Sequence, residues 1–176
     1  MKLIDKQGYD NVTIEEISKN AGVSVGAFYH YYRSKTDIVV EFFKQIDVYY
    51  EGKREEILAA GDAGARLSAF YRAYAAFHME RGCGHTSTIL KAQNSFFNNH
   101  SRYMYALLTE IVSAGRESGW LSKTHQTDEI NDHLMIIARG LLFDWVLEKG
   151  EYDLTARFEK ELVIALRGLR GETARK

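Results

Sequence analysis

No proline occurs anywhere in the 176 residues of this chain, so nothing in it is forced to break a helix, and its 14 glycines are left as the only strong punctuation. Between those glycines the apolar residues recur at three- and four-residue intervals over long runs, the spacing of amphipathic helices rather than strands. The expected fold is all-α.

Residues 12–37, VTIEEISKNAGVSVGAFYHYYRSKTD, hold the most specific pattern. Thr13 can accept from an orphan amide at the start of a helix and Glu16 can reach back to it, which makes a capping box. Ile14, Ile17 and Ala21 then share one face, Gly22 can turn the chain at positive φ, and Ser24 suits the N-cap of a second helix. On that second helix Phe28 and Tyr32 face back toward Ile14 and Ile17, while Gly26, Ala27, Tyr29 and His30 point outward. The small residues let a backbone approach base edges, and the longer polar ones reach phosphates. Any small helical hairpin also exposes a few polar groups, so periodicity alone leaves both readings open.

The run GYDNVTIEEISKNAGVSVGAFYHYYRSKTDI, residues 8–38, resembles the DNA-binding domain of the TetR family of transcriptional repressors. The likeness lies in order and spacing: Gly-Tyr before the first of these helices, Thr at its cap, Ala-Gly-Val-Ser in the turn, Phe-Tyr in the recognition helix, and Ser-Lys opening a long helix. The resemblance implies that Thr13, Ser24, Tyr29 and Lys35 touch DNA phosphates, that Val25, Gly26, Ala27 and His30 face the groove, and that Tyr31 belongs to the same DNA-contacting set. Glu15 stands where some relatives place a basic base-reader; a carboxylate there accepts from a cytosine amine or is solvated, and solvation is the expectation. With no polar side chain on Val25, Gly26 or Ala27, sequence reading must rest on thymine methyl contacts, Tyr29, His30 and DNA shape. Met1 to Gln7 gives barely two helical turns, so the first helix of a three-helix head reads as shortened. The expected division is a helix-turn-helix DNA-binding domain at residues 1–45 and a larger helical effector-binding and dimerisation domain at residues 46–176.

A formal net charge of −1 excludes a globally basic nucleic-acid binder. Within residues 1–37 the five cations Lys2, Lys6, Lys19, Arg33 and Lys35 are matched by the five anions Asp5, Asp10, Glu15, Glu16 and Asp37. Non-specific affinity for DNA is therefore expected to be low. No run approaches the roughly 18 uninterrupted apolar residues of a membrane span, and no charged-then-apolar leader opens the chain. The single Cys83 excludes an internal disulfide framework and fits a reducing compartment. A cytoplasmic protein with no membrane partner is expected.

Lys35 to about Ala60 reads as one long helix with a possible break at Gly52, connecting head to body. Asp62 to Arg81 reads as another, ending at Gly82; residues 83–104 form the least regular region, and Leu107 to Ser118 continues as helix. Aromatics make up 12% of the chain and concentrate in these segments, which suits an apolar pocket. The pocket is expected to be bordered by Phe42, Tyr49, Phe70, Tyr74, Phe77, His78, Gln93, Phe96, Phe97 and Tyr103, although an aromatic stripe at helical spacing is also what an ordinary core looks like. His78 and His85 flank Cys83, but H-x4-C-x-H is not a closed zinc pattern and offers one thiolate. Structural histidines, with no metal and no cofactor, are expected.

Ile130, Leu134, Ile137, Leu141 and Trp145 form an apolar stripe on one late helix, and Phe158, Leu162 and Leu166 form another on the last. Two such helices can pack on their own body or pair with the same two of a second copy in a four-helix bundle. The TetR resemblance favours the homodimer, because relatives dimerise through their last two long helices, and these residues are its expected interface. The reading is a repressor that binds a palindromic duplex operator and is controlled by a small apolar or aromatic effector in its C-terminal domain. The sequence carries no nucleophile elbow, phosphate loop, metal motif or evident pair of catalytic carboxylates, so an enzyme is not expected. The alternative is an all-helical ligand-binding or scaffolding protein with weak or lost DNA binding, which a steep salt dependence of duplex binding would separate from the repressor.

Overall fold

The structure, a computed structural model, describes residues 11–91 and 99–171 together with Leu3, Gln7 and Tyr9. Its helices, in chain order, are α1 (Ile14–Ala21), α2 (Val25–Tyr31), α3 (Lys35–Leu58), α4 (Ala63–Lys91), α5 (Tyr103–Glu117), α6 (Thr127–Leu147) and α7 (Leu154–Leu169). The fold is all-α; among the described residues the only β pairing is an isolated antiparallel bridge between Leu121 and Arg170.

Local chemistry sets the ends of these helices. Thr13 Oγ1 accepts from the Glu16 amide at 3.2 Å while Glu16 Oε2 accepts from the Thr13 amide at 2.8 Å, closing the capping box of α1. Gly22 takes φ 70° after it, and Ser24 Oγ caps α2 by accepting from the Ala27 amide at 3.0 Å. The long α3 runs through Gly52 without a break, even though a glycine in a helix interior costs about 1 kcal/mol.

The sequence places a helix end at Gly82, and helical geometry does break there; what differs is the stretch from residue 83, expected to be irregular but helical to Lys91. Gly82 takes φ 85° and ψ 167°, so α4 is two helical segments meeting at a kink, the second running to Lys91. Thr86 and Thr88 donate back to the Gly82 and Gly84 carbonyls at 3.3 and 3.0 Å, and burial of His85 and Ile89 holds the resumed helix against α3.

Apolar burial falls into connected groups. Val12, Phe28 and Ile38 form the core of the head, with Leu3, Tyr9, Ile14, Ile17 and Tyr32 packed around them, whereas Ala21 is exposed. In the body, α4 is central and packs against α3, α5, α6 and α7. Between head and body, Val39, Phe42 and Phe43 of α3 meet Ile89 of α4, with Tyr9 against them. One rigid helix, α3, thus takes part in both cores.

Candidate nucleic-acid interface and effector cavity

The recognition surface depends on how Phe28 is seated. Its ring is buried and meets Tyr29 edge-on at 5.5 Å and Tyr32 at 5.4 Å, which locks the inner face of α2 onto the head. The outer face then presents Gly26, Tyr29, His30 and Tyr31, with Tyr29 54% and Tyr31 77% exposed. Val25 and Ala27 are half-buried, and around Gly26 the only atom near a would-be Cβ is Ser24 Oγ at 3.8 Å, so another backbone can come close. Thr13 and Ser24 are exposed at the N-termini of α1 and α2, where their hydroxyls already serve as caps. Glu15 is exposed.

Lys35 makes intrachain contacts that the sequence does not show. It is half-buried, and its ammonium donates to the carbonyls of Tyr9 at 2.5 Å and Val12 at 3.0 Å while lying 4.4 Å from the centre of the Tyr9 ring. Carbonyls at the edge of the head core, left without helical partners, draw the cation inward. In this structure it ties the segment before α1 to the start of α3.

In the body, α3, α4, α5 and α6 enclose a cavity of 20 Å³, about the room of one water. Four of the expected pocket residues line it: Phe42, Tyr74, Phe77 and His78. Phe70 lies elsewhere in the core, with its ring 4.7 Å from that of Tyr50. Tyr49 borders an outer groove, and Tyr103 sits at the start of α5 beside Arg54. Gln93, Phe96 and Phe97 lie outside the described residues. Sequence reading missed Phe43, Ile46, Ile89, Arg102, Met104 and Met135 of the lining, because Ile89, Arg102 and Met104 fall in the stretch taken as irregular and the other three read as ordinary helix core.

Two buried histidines mark this region. His78 Nδ1 lies 3.0 Å from Thr86 Oγ1, and the His85 ring packs on Phe42 with centroids 4.3 Å apart. Burial, with His85 and Arg81 beside it, lowers the His78 pKa to about 3; burial and Arg81 lower that of His85 to about 4. Both rings are therefore neutral at physiological pH. Among the described residues no group of three or more His, Cys, Asp or Glu is placed to hold a metal ion, and no helix is long and apolar enough to cross a membrane.

The expected dimer residues are also placed differently. Ile130, Leu134, Leu141, Trp145, Phe158, Leu162 and Leu166 are all buried within the single chain, and Ile137 is half-buried. Each helix has its densest apolar stripe, and that stripe covers the chain's own core. The opposite side of α6 carries Ile136, Gly140, Phe143 and Leu147, spaced four, three and four residues apart, with Ile136 and Leu147 each 62% exposed and Phe143 57%. On α7, Val163 and Ile164 are exposed as well.

A capped helix-turn-helix head joined by one helix to a larger helical body with an internal cavity is the architecture of a one-component transcriptional regulator. Residues 1–42 match the family model described as "Bacterial regulatory proteins, tetR family". The helix-turn-helix head is thus similar to the DNA-binding domain of TetR-family transcriptional regulators. It is 24% identical over 181 aligned residues to the fatty acid metabolism regulator protein of Bacillus subtilis, covering 96% of this chain and 91% of that protein. Among solved structures, FadR of Bacillus subtilis in complex with stearoyl-CoA superposes with TM-score 0.81 at 20% identity, covering 96% of this chain and 95% of that one. FadR of Thermus thermophilus, a TetR-family repressor in complex with lauroyl-CoA, gives TM-score 0.69 at 24% identity, covering 96% and 90%.

Proposed function

We propose that this chain is a cytoplasmic, dimeric repressor whose grip on a palindromic operator is released by a small apolar or aromatic effector in the body cavity. The reading divides the chain at about residue 45 into DNA-binding and effector-binding domains. The observation that carries it is the double use of α3: Ile38 packs under Phe28 of the recognition helix, and Phe42, one turn further on, walls the cavity. A ligand larger than a water needs more than 20 Å³, so seating it displaces lining side chains such as Phe42 and strains α3. A packed helix shifts as a unit, and the head moves with it.

The outward stripe of Ile136, Phe143 and Leu147 on α6, with Val163 and Ile164 on α7, is the proposed dimer face, a self-complementary patch on a two-fold axis. Two recognition helices then reach successive major grooves when their centres stand about 34 to 36 Å apart. Gly26, Ala27, Tyr29, His30 and Tyr31 are proposed to face the DNA, with Thr13 and Ser24 at its phosphates. The effector works only to the extent that it binds the splayed state more tightly than the DNA-bound one. The complexes of the two relatives with acyl-CoA molecules support a ligand with an extended apolar part. Titrating lauroyl-CoA into the complex of this protein with its upstream intergenic DNA tests that class: release supports it, and binding of lauroyl-CoA with operator affinity unchanged rejects it.

A further inference from the structure

Three ring nitrogens buried beside the cavity are unpaired. His78 and His85 are each 2% exposed, and among the described residues His78 Nε2 and both nitrogens of His85 have no hydrogen-bond partner. A buried polar atom left unpaired costs about 1–3 kcal/mol, and native proteins keep few of them without a use.

The bonding around Thr86 fixes what His78 offers. The Gly82 carbonyl, 3.3 Å from Thr86 Oγ1, can only accept, so the hydroxyl proton goes there. Thr86 Oγ1 then accepts from His78 Nδ1–H at 3.0 Å, the arrangement that satisfies both bonds, and His78 Nε2 is left as a lone pair on the cavity wall. Neutral His85 brings one donor and one acceptor. It sits against Phe42 and Phe77, at 4.3 and 6.2 Å between centroids, so the same movement of Phe42 that enlarges the cavity uncovers it. The one charged side chain of the lining, Arg102, already faces Asp47, so a charged ligand finds no free countercharge.

We propose that this cavity receives an amphipathic effector through an uncharged group that both donates and accepts hydrogen bonds, a hydroxyl or an amide, held between His78 Nε2 and His85. The inference rests on the effector reading above and adds the chemistry of the ligand's polar end. A hydroxyl donates to His78 Nε2 and accepts from the His85 N–H, pairing two of the three orphaned nitrogens. A carboxylate has no proton for His78, and a quaternary ammonium has neither donor nor acceptor.

The test is calorimetric titration of the full chain at neutral pH with 1-decanol, decanoate and decyltrimethylammonium, which share one decyl chain and differ at the head. The alcohol is expected to bind about tenfold more tightly than either ion, the worth of one good hydrogen bond. His78→Phe and His85→Phe are expected to reduce that preference to near unity while melting no lower than the wild type without ligand. The wild-type preference is read without any variant, so a variant that fails to fold leaves the test intact. A charged probe that binds as tightly as the alcohol, or a preference that survives His78→Phe in folded protein, overturns the head-group assignment and leaves the cavity as effector site. Three probes that neither bind nor alter operator affinity overturn the effector reading as well.

Discussion

Arg102 holds Asp47 with two guanidinium nitrogens, Nε to Oδ2 at 3.0 Å and Nη2 to Oδ1 at 3.3 Å, and the same Nη2 reaches the Phe43 carbonyl at 3.1 Å. Asp47 Oδ1 also accepts from the Met104 amide at 3.1 Å, capping the first turn of α5. This pair fastens α3 to α5 at the edge of the cavity.

Arg102→Ala leaves Asp47 largely buried without its partner and is expected to destabilise the protein by about 3 kcal/mol, the low end of the range for breaking a buried pair. Urea unfolding followed by circular dichroism checks this. A loss below about 1 kcal/mol would place the pair with exposed, screened ion pairs instead.

Lys35 separates two roles that the sequence cannot. Because its ammonium serves the Tyr9 and Val12 carbonyls, Lys35→Met is expected to cost about 1.5–3 kcal/mol of head stability and to leave the salt dependence of operator binding unchanged. A phosphate contact would instead lower the slope of log K against log salt by about 0.9.

The histidines predict an acid limb of stability. Both have folded pKa values below the ordinary 6.5, about 3 for His78 and about 4 for His85, so below 6.5 the unfolded chain binds protons that the folded chain refuses. Their contribution is fully present above pH 6.5 and is lost as pH falls toward 4 and then 3, by up to about 1.4 kcal/mol per pH unit for each ring. Urea midpoints between pH 7 and about 4.5 are expected to fall less steeply in His78→Phe and His85→Phe than in the wild type.

Gly82→Ala tests the kink. A Cβ at Gly82 would meet nothing within 4 Å, so the cost is purely that of holding φ at +85°, about 1–3 kcal/mol. If the variant instead straightens α4, Ile89 and His85 leave α3, and effector response is expected to fall along with thermal stability.

The outward face of α6 predicts oligomeric state. Phe143→Glu is expected to yield a folded monomer by sedimentation velocity, since Phe143 is 57% exposed in the single chain. Leu134→Ala, in the core, is expected to lower stability by about 2–5 kcal/mol without targeting association.

Much of this fold is legible in the sequence. The capping box of Thr13 and Glu16, the turn at Gly22 and the cap at Ser24 are local chemistry, and local chemistry is written in adjacent residues. What is not legible depends on partners distant in sequence. Residues 83–91 read as irregular because nothing nearby shows that Ile89 will find α3. The contacts of Lys35 are not legible either, because the carbonyls it meets lie more than twenty positions earlier. The stripe of Leu134 and Leu141 reads as an interface because periodicity gives the apolar face of a helix but not what covers it. Arg102 carries no motif; its place beside the cavity follows only from Asp47 on another helix.

The most direct measurement of the central claim is the affinity of the full chain for its upstream intergenic duplex between about 50 and 200 mM salt, against random duplex as competitor. The account predicts specific binding at two protomers per site that weakens at least about tenfold over this range and survives excess random DNA. Weak binding that random DNA removes equally, at every salt concentration, would contradict it and favour a helical ligand-binding protein that does not regulate transcription.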